Sequence, residues 1–248
     1  MFPLLQSLKN TLSFFAGKEM WKCFLPVLTG TSAFLTVMVR FFPFLKPDEQ
    51  DAFVYVLDPF AIGGFLLVLA AAVVAVMVRT MLAIFFDKTA EAFWTPQLPK
   101  AALRFAGVFF KSLTVSLLFS AVCAWGGLTA MQKLASLPPF PDKATVLLTL
   151  MLVPYFLIRQ CMRFPACVAG DDAAFVRGWR LSRRGGIPLC LVYLAVALLP
   201  IAAVFLMVFF LPAGEMFSNF FAVFAGLLSV MLQAAFMAYL YVRVKDDA

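Results

Sequence analysis

Six long apolar stretches alternate with short polar segments along this chain, and no Asp, Glu, Lys or His falls in the middle third of any of them. A helix needs roughly 20 apolar residues to cross the hydrocarbon core of a bilayer. The pattern therefore predicts spans at 23–45, 60–86, 105–131, 145–164, 187–211 and 217–242. The fourth has the shortest clean core, from Ala144 to Ile158, before Arg159 interrupts it. Pro165 disfavours helix at Phe164, so this span is expected to stop there, with Arg159 snorkelling to the interface. The class expected is an all-α integral membrane protein with six transmembrane helices, forming one transmembrane domain over 1–248.

Two shorter stretches carry an amphipathic period. Leu5, Leu8, Leu12 and Phe15 recur at three- and four-residue steps, which predicts an interfacial helix over 3–17 with Pro3 near its start. The run Gly170 to Gly186, GDDAAFVRGWRLSRRGG, predicts a second over 171–184. Asp171 and Asp172 suit the positive end of a helix dipole, Arg183 and Arg184 suit the negative end, and Gly185 is a natural C-cap. Phe175 and Trp179 share one face as interfacial anchors, while Arg177, Arg180 and Arg184 share the other. Such a helix lies in the membrane interface with its guanidinium groups among lipid phosphates. Each arginine contributes about 1 kcal/mol near an anionic leaflet. The same arginines also serve as plain topology signals, and both readings stay open. Around Pro96 and Pro99, Lys100, Ala101, Arg104 and Phe105 read either as a helix start running into the third span or as a basic loop.

A repeat organises these parts. Three even-numbered spans finish with two apolar residues and an arginine: Met77-Val78-Arg79, Leu157-Ile158-Arg159 and Tyr241-Val242-Arg243. Ahead of each odd-numbered span a short helix-like stretch closes on Gly17, Gly107 or Gly185. The pattern suggests three helix-hairpin repeats with cytoplasmic interfacial helices, although arginine at an inner helix end also follows from the charge rule alone.

Charge sets the expected orientation. All Lys and Arg residues except Arg40, Lys46, Lys133 and Lys143 fall on one side of the predicted layout. That side is cytoplasmic by the positive-inside bias, which makes the chain N-in and C-in in a bacterial inner membrane. The net charge of +7 is then an inner basic belt, and nucleic acid is not an expected partner. A hydrophobic fraction of 64% and a mean hydropathy of +0.97 exclude an ordinary soluble domain. Lys9, Lys18 and Lys22 punctuate the N-terminal stretch, so the first span is expected to be retained rather than cleaved as a signal peptide.

Candidate chemistry is sparse. The chain has no histidine, the commonest acid, base and metal ligand. Its five cysteines, Cys23, Cys123, Cys161, Cys167 and Cys190, show no CxxC spacing and lie in or beside apolar runs, where packing is the expected role. No phosphate-binding glycine loop or nucleophile elbow occurs. No catalytic residue, metal ligand or cofactor is therefore assigned. Gly63-Gly64 and Gly126-Gly127 read as close-packing points between helices. A coupled carrier would place an ionisable group near the midplane, and none is seen; Thr29, Thr31, Thr114, Ser116, Ser120, Ser229 and Gln233 are the polar groups inside spans. Pro26, Pro154, Pro200 and Pro212 are positioned to kink spans, as in the broken helices of transporters.

The run from Phe164-Pro165 through Asp171-Asp172 and Ala174 to Trp179-Arg180-Leu181-Ser182-Arg183-Arg184-Gly185 resembles a loop of six-span bacterial membrane proteins related to the glycerophosphoryl diester phosphodiesterase membrane domain. Gly178 stands where that group commonly has serine. The resemblance implies a membrane module, sometimes fused to a soluble phosphodiesterase barrel, which is not expected within these 248 residues because six spans and short loops take them up. The function expected is a non-catalytic multi-pass module that engages anionic membrane lipids and a protein partner or a second copy of itself. Its headgroup candidates are Arg177, Arg180, Arg183, Arg184, Arg79, Arg159 and Arg163. The alternatives are a permease or lipid-translocating component and a membrane-embedded lipid enzyme.

Overall fold

A bilayer offers no water to backbone N–H and C=O groups, so apolar runs of this length must satisfy them internally as helix. The computed structural model describes residues 2–41, 45–47, 55–57, 59–86, 98–135, 142–171, 179–180, 182, 186–210 and 214–246. Among these, α1 (Phe2–Ala16) passes through Gly17 into α2 (Lys18–Phe41). Then follow α3 (Pro59–Phe86), α4 (Leu98–Ala135), α5 (Asp142–Arg159), α6 (Arg163–Val168), α7 (Gly186–Phe210) and α8 (Glu215–Asp246). Four stretches are long and apolar enough to cross a membrane: Met20–Arg40, Phe60–Phe86, Leu98–Leu134 and Met216–Lys245. Ala144–Arg159 and Ile187–Ala203 are shorter apolar helices. The chain is a helical, multi-pass membrane protein.

Among the described residues, two short strands lie between α2 and α3. There β1 (Leu45–Pro47) and β2 (Tyr55–Leu57) pair antiparallel, with Leu45 opposite Leu57 and Pro47 opposite Tyr55. Tyr55-Val56-Leu57 is β-prone sequence too short to start a helix before Pro59, and Pro47 closes its strand at an edge where its missing N–H costs nothing.

The helices are packed unevenly. At one end, here termed basal, Phe85 near the close of α3 lies 6.2 Å edge-on from Tyr241 near the close of α8, and Phe14 of α1 meets Tyr239 at 6.5 Å. Phe105 in the first turns of α4 meets Phe164 of α6 at 5.4 Å. The buried apolar residues concentrate there: Met20 and Phe24 of α2, Val76 to Ala83 of α3 apart from Arg79 and Thr80, and Ala234 to Ala238 of α8. At the other end, termed distal, Phe60 is 90% exposed and Leu67, Leu134, Phe205 and Met216 are exposed as well. Helices in lipid gain nothing from leaving water, so their association rests on close packing and hydrogen bonds, and here those are basal.

Two expectations change at this level. The fourth apolar run does not continue to Phe164; it ends at Arg159, turns over Gln160–Met162 and restarts as α6. Phe164 is itself helical, and Pro165 sits in the first turn of α6, where a proline is tolerated. Continuing α5 would have driven the Pro165 ring against the Cys161 carbonyl, so the break falls upstream of the proline. The glycine pairs differ too: a Cβ built on Gly63, Gly64, Gly126 or Gly127 meets nothing within 4 Å. They are open positions within this chain and not close-packing points between its helices.

In α1 the inward face is Leu4, Ser7 and Thr11, and Leu5 and Leu12 face outward. Thr11 donates to the Ser7 carbonyl at 2.8 Å, so its hydroxyl needs no other partner, and small side chains let α1 lie close to α8. Trp21 Nε1 then donates to the Phe15 carbonyl at 2.7 Å, satisfying one of the acceptors left over at the C-terminus of α1.

Candidate functional site

The basal end owes its form to the stretch after α5. Every residue from Ile158 to Val168 is buried, the polar Arg159, Gln160 and Arg163 included. α6 packs against α3, α4 and α8, with Phe164 between Phe105 and Phe109 of α4 at 5.4 and 6.0 Å. Its C-terminus closes by a Schellman motif: Asp171 N–H bonds the Ala166 carbonyl at 2.9 Å and Gly170 N–H the Cys167 carbonyl at 3.4 Å. Gly170 takes φ +79°, a left-handed conformation that a side chain would strain.

The turn delivers Asp171 to α8. Its Oδ2 accepts from the Tyr241 hydroxyl and from Lys245 Nζ, the latter at 2.8 Å. Lys245 is largely exposed, so the ion pair adds little on its own, while the buried Tyr241 contributes the stronger half of the tie. α5 is fastened to the following segment by a reciprocal pair. Arg159 Nη1 donates to the Ser182 carbonyl at 2.6 Å, and Ser182 Oγ donates to the Arg159 carbonyl at 2.6 Å. The Arg159 guanidinium also lies 4.8 Å from the centroid of the Trp179 ring, which stacks on Phe156 at 6.3 Å. Arg163 Nη1 donates to Ser112 Oγ of α4 at 2.8 Å. Burial pushes the Cys167 thiol up to about 12 against the opposing pull of Arg163 and Arg104.

No family model, curated protein or solved structure matches this chain.

The structure places the headgroup candidates unequally. Arg159 and Arg163 are 6% and 7% exposed, held by protein partners in the basal core. Arg79 of α3 and Arg243 of α8 are half-buried at the same end, and Arg180 is exposed beside the half-buried Trp179. Phe175, Arg177, Arg183 and Arg184, with most of the helix expected over 171–184, lie outside the described residues, as does Pro212. The three repeat arginines do not sit alike, because α3 continues past Arg79 to Phe86 whereas Arg159 closes α5.

Several polar residues at this end escaped sequence reasoning: Gln160, Ser112 and the Tyr241–Asp171–Lys245 tie. Ser112 had a signal, since it repeats with Ser116 and Ser120 at four-residue steps, and all three are buried on one face of α4. The Asp171 tie had none, because its partners lie a whole hairpin away in sequence. A separate ladder joins α7 to α8: Tyr193 donates to Gln233 Oε1 at 2.6 Å, Gln233 Nε2 contacts Ser229 Oγ at 3.3 Å, and Ser229 donates to the Ala197 carbonyl. Among the described residues no three His, Cys, Asp or Glu side chains gather as metal ligands do.

Proposed function

We propose that this chain is a non-catalytic, six-span module of a bacterial inner membrane, N-in and C-in, whose basal end faces the cytoplasm and engages anionic lipid headgroups. The observation that carries the reading is the half-buried Arg79 and Arg243 and the exposed Arg180 and Lys245 at the end of the helices where Arg159 and Arg163 are already held in the core. Arginine at the lipid–water boundary pairs with phosphate through a planar, bidentate fork. The six spans comprise the four long helices and the two shorter ones, arranged as the hairpins α2–α3, α4–α5 and α7–α8. Outward Leu5 and Leu12 of α1, with exposed Lys9 between them, support a helix lying in the interface. A protein partner or a second copy completes the proposal, and the resemblance of the Phe164–Gly185 run to phosphodiesterase membrane-domain proteins is consistent with a module of this kind.

The test is lipid co-purification. Wild-type protein extracted in native lipid patches is expected to carry anionic lipid above its membrane abundance. The variant Arg177→Gln, Arg180→Gln, Arg183→Gln, Arg184→Gln is expected to lose that enrichment with its helix content unchanged. Equal enrichment in both proteins contradicts the reading.

A lipid-translocating role is the second reading. It is favoured by a cleft of about 300 Å³ at the distal end, lined by Thr36, Val39, Arg40, Met216 and Asn219. Lipid scrambling in reconstituted vesicles above the empty-liposome rate would support it.

A further inference from the structure

The distal cleft of about 300 Å³ lies between α2 and α8: Thr36, Val39 and Arg40 line it from the last turns of α2, and Met216 and Asn219 from the first turns of α8. Arg40 is exposed, Asn219 half-buried and Thr36 buried. Among the described residues neither Arg40 nor Asn219 is engaged in a hydrogen bond or an ion pair. The guanidinium and the amide therefore bring unspent donors to one shared space. The Thr36 hydroxyl does not add to them, because it donates to the Ser32 carbonyl at 2.7 Å.

Charge and depth narrow the ligand. Of the five lining residues one is a cation and none is acidic, so the cleft selects a group of net negative charge. α8 opens on Gly214, whose carbonyl accepts from the Phe217 and Ser218 N–H groups at 3.0 Å and which has no side chain to cap the first turn. The positive end of the α8 dipole then adds to the field of Arg40. Depth follows from α2, whose apolar window Met20–Arg40 holds 21 residues. At about 1.5 Å per residue it spans roughly 30 Å, the thickness of the hydrocarbon core, which sets Arg40 at the level of the phosphates of the distal leaflet. Val39 and Met216 give the cleft an apolar wall, and neighbouring Val37 and Phe217 are exposed, so glycerol and acyl carbon can lie beside the charged end. Arg40 is also one of the four cations outside the basic side of the sequence layout, so the topology rule does not account for it.

We infer that the cleft between the distal ends of α2 and α8 is a phosphate-ester site with Arg40 and Asn219 as its donors. The depth of Arg40 and the apolar wall favour an anionic lipid headgroup of the distal leaflet as the source; a soluble phosphate ester is the other. This site is separate from the basal arginines, and it binds whether or not lipid crosses the membrane here.

Photolabelling of the full chain in phosphatidylcholine nanodiscs tests it by location. The probes are phosphatidylglycerol and phosphatidylcholine, each carrying a diazirine in its headgroup, with labelled peptides mapped by mass spectrometry. The phosphatidylglycerol probe is expected to label the segments around Val39 and Met216 well above the phosphatidylcholine probe. Arg40→Gln and Asn219→Leu should each lower that labelling about tenfold, the size of one charge-assisted hydrogen bond, and leave labelling elsewhere at the distal end unchanged. Asn219→Asp, nearly isosteric, sets a carboxylate against the phosphate and should abolish it; this variant serves where the leucine variant folds poorly. Suppression by excess soluble glycerol phosphate identifies a free ester, and labelling that persists identifies the lipid; both uphold the site. Equal labelling by the two probes overturns it. So does labelling that falls in Arg40→Gln but not in the Asn219 variants, which reduces Arg40 to an interfacial anchor. Basal peptides report on the proposed function separately: selective labelling there with none at the cleft removes this site alone, and the converse removes the basal reading alone.

Discussion

The basal and distal ends of this protein are built from similarly apolar sequence, yet they behave as different materials. Phe164 and Phe205 make the contrast concrete: the first is 4% exposed among the rings of α4, and the second is 69% exposed on α7. Both would be hydrophobic positions in any sequence profile. The difference is that basal helix ends carry polar fasteners, Arg159 to Ser182, Arg163 to Ser112 and Asp171 to Tyr241, whereas the distal halves offer mainly aliphatic and aromatic faces. In lipid an aliphatic face has no reason to prefer protein over an acyl chain, so the fasteners decide where the helices close.

Substitutions can break that comparison. Phe164→Ala should destabilise the protein by about 3–5 kcal/mol, the range for a buried aromatic truncated in a packed core. Phe205→Ala should change stability by less than about 0.5 kcal/mol. Equal losses in detergent unfolding would show that the distal half is packed as well. Thiol chemistry gives a second contrast. With its thiol raised to about 12 by burial, Cys167 holds roughly a thousandth as a thiolate at pH 9, and only the thiolate reacts with a maleimide. Labelling at pH 7 to 9 should therefore spare Cys167 until the protein is denatured, and prompt native labelling would mean that α6 is not seated as described.

Smaller effects sharpen the picture. Gly170→Ala should cost about 1–2 kcal/mol through backbone strain alone, since a Cβ there meets no neighbour. Tyr241→Phe should cost about 1 kcal/mol by removing one hydrogen bond to Asp171. Gly126→Ala should be nearly neutral in the isolated chain, because the space beside it is open. A clear loss in native membranes, absent from the purified monomer, would reveal a partner helix packed against that glycine.

The apolar runs mark a helical, multi-pass membrane protein, and four of the six expected stretches are helices long and apolar enough to cross; at Pro96 and Pro99 the sequence leaves a helix start and a basic loop open, and the structure starts α4 at Leu98. The site was far less legible. Arg159 and Arg163 read as interface residues because charge ordinarily seeks the interface, yet the apolar Cys161, Met162, Phe164, Ala166, Cys167 and Val168 around them carry the segment into the core. A buried arginine is recognisable only through its partners, and Ser112 and Ser182 lie in other elements. In α1 the leucines mark the apolar stripe, while small Ser7 and Thr11 face the neighbouring helix and leave Leu5 and Leu12 outward.

The proposed function puts anionic lipid at the packed basal end. A ligand that binds only the folded state raises its stability in proportion to the logarithm of its occupancy. The direct measurement is the thermal unfolding midpoint in nanodiscs of phosphatidylglycerol against nanodiscs of phosphatidylcholine, for the wild type and for the four-arginine variant. A higher midpoint in phosphatidylglycerol is expected for the wild type, with a difference that shrinks or vanishes in the variant. Identical wild-type midpoints in the two lipids would contradict it.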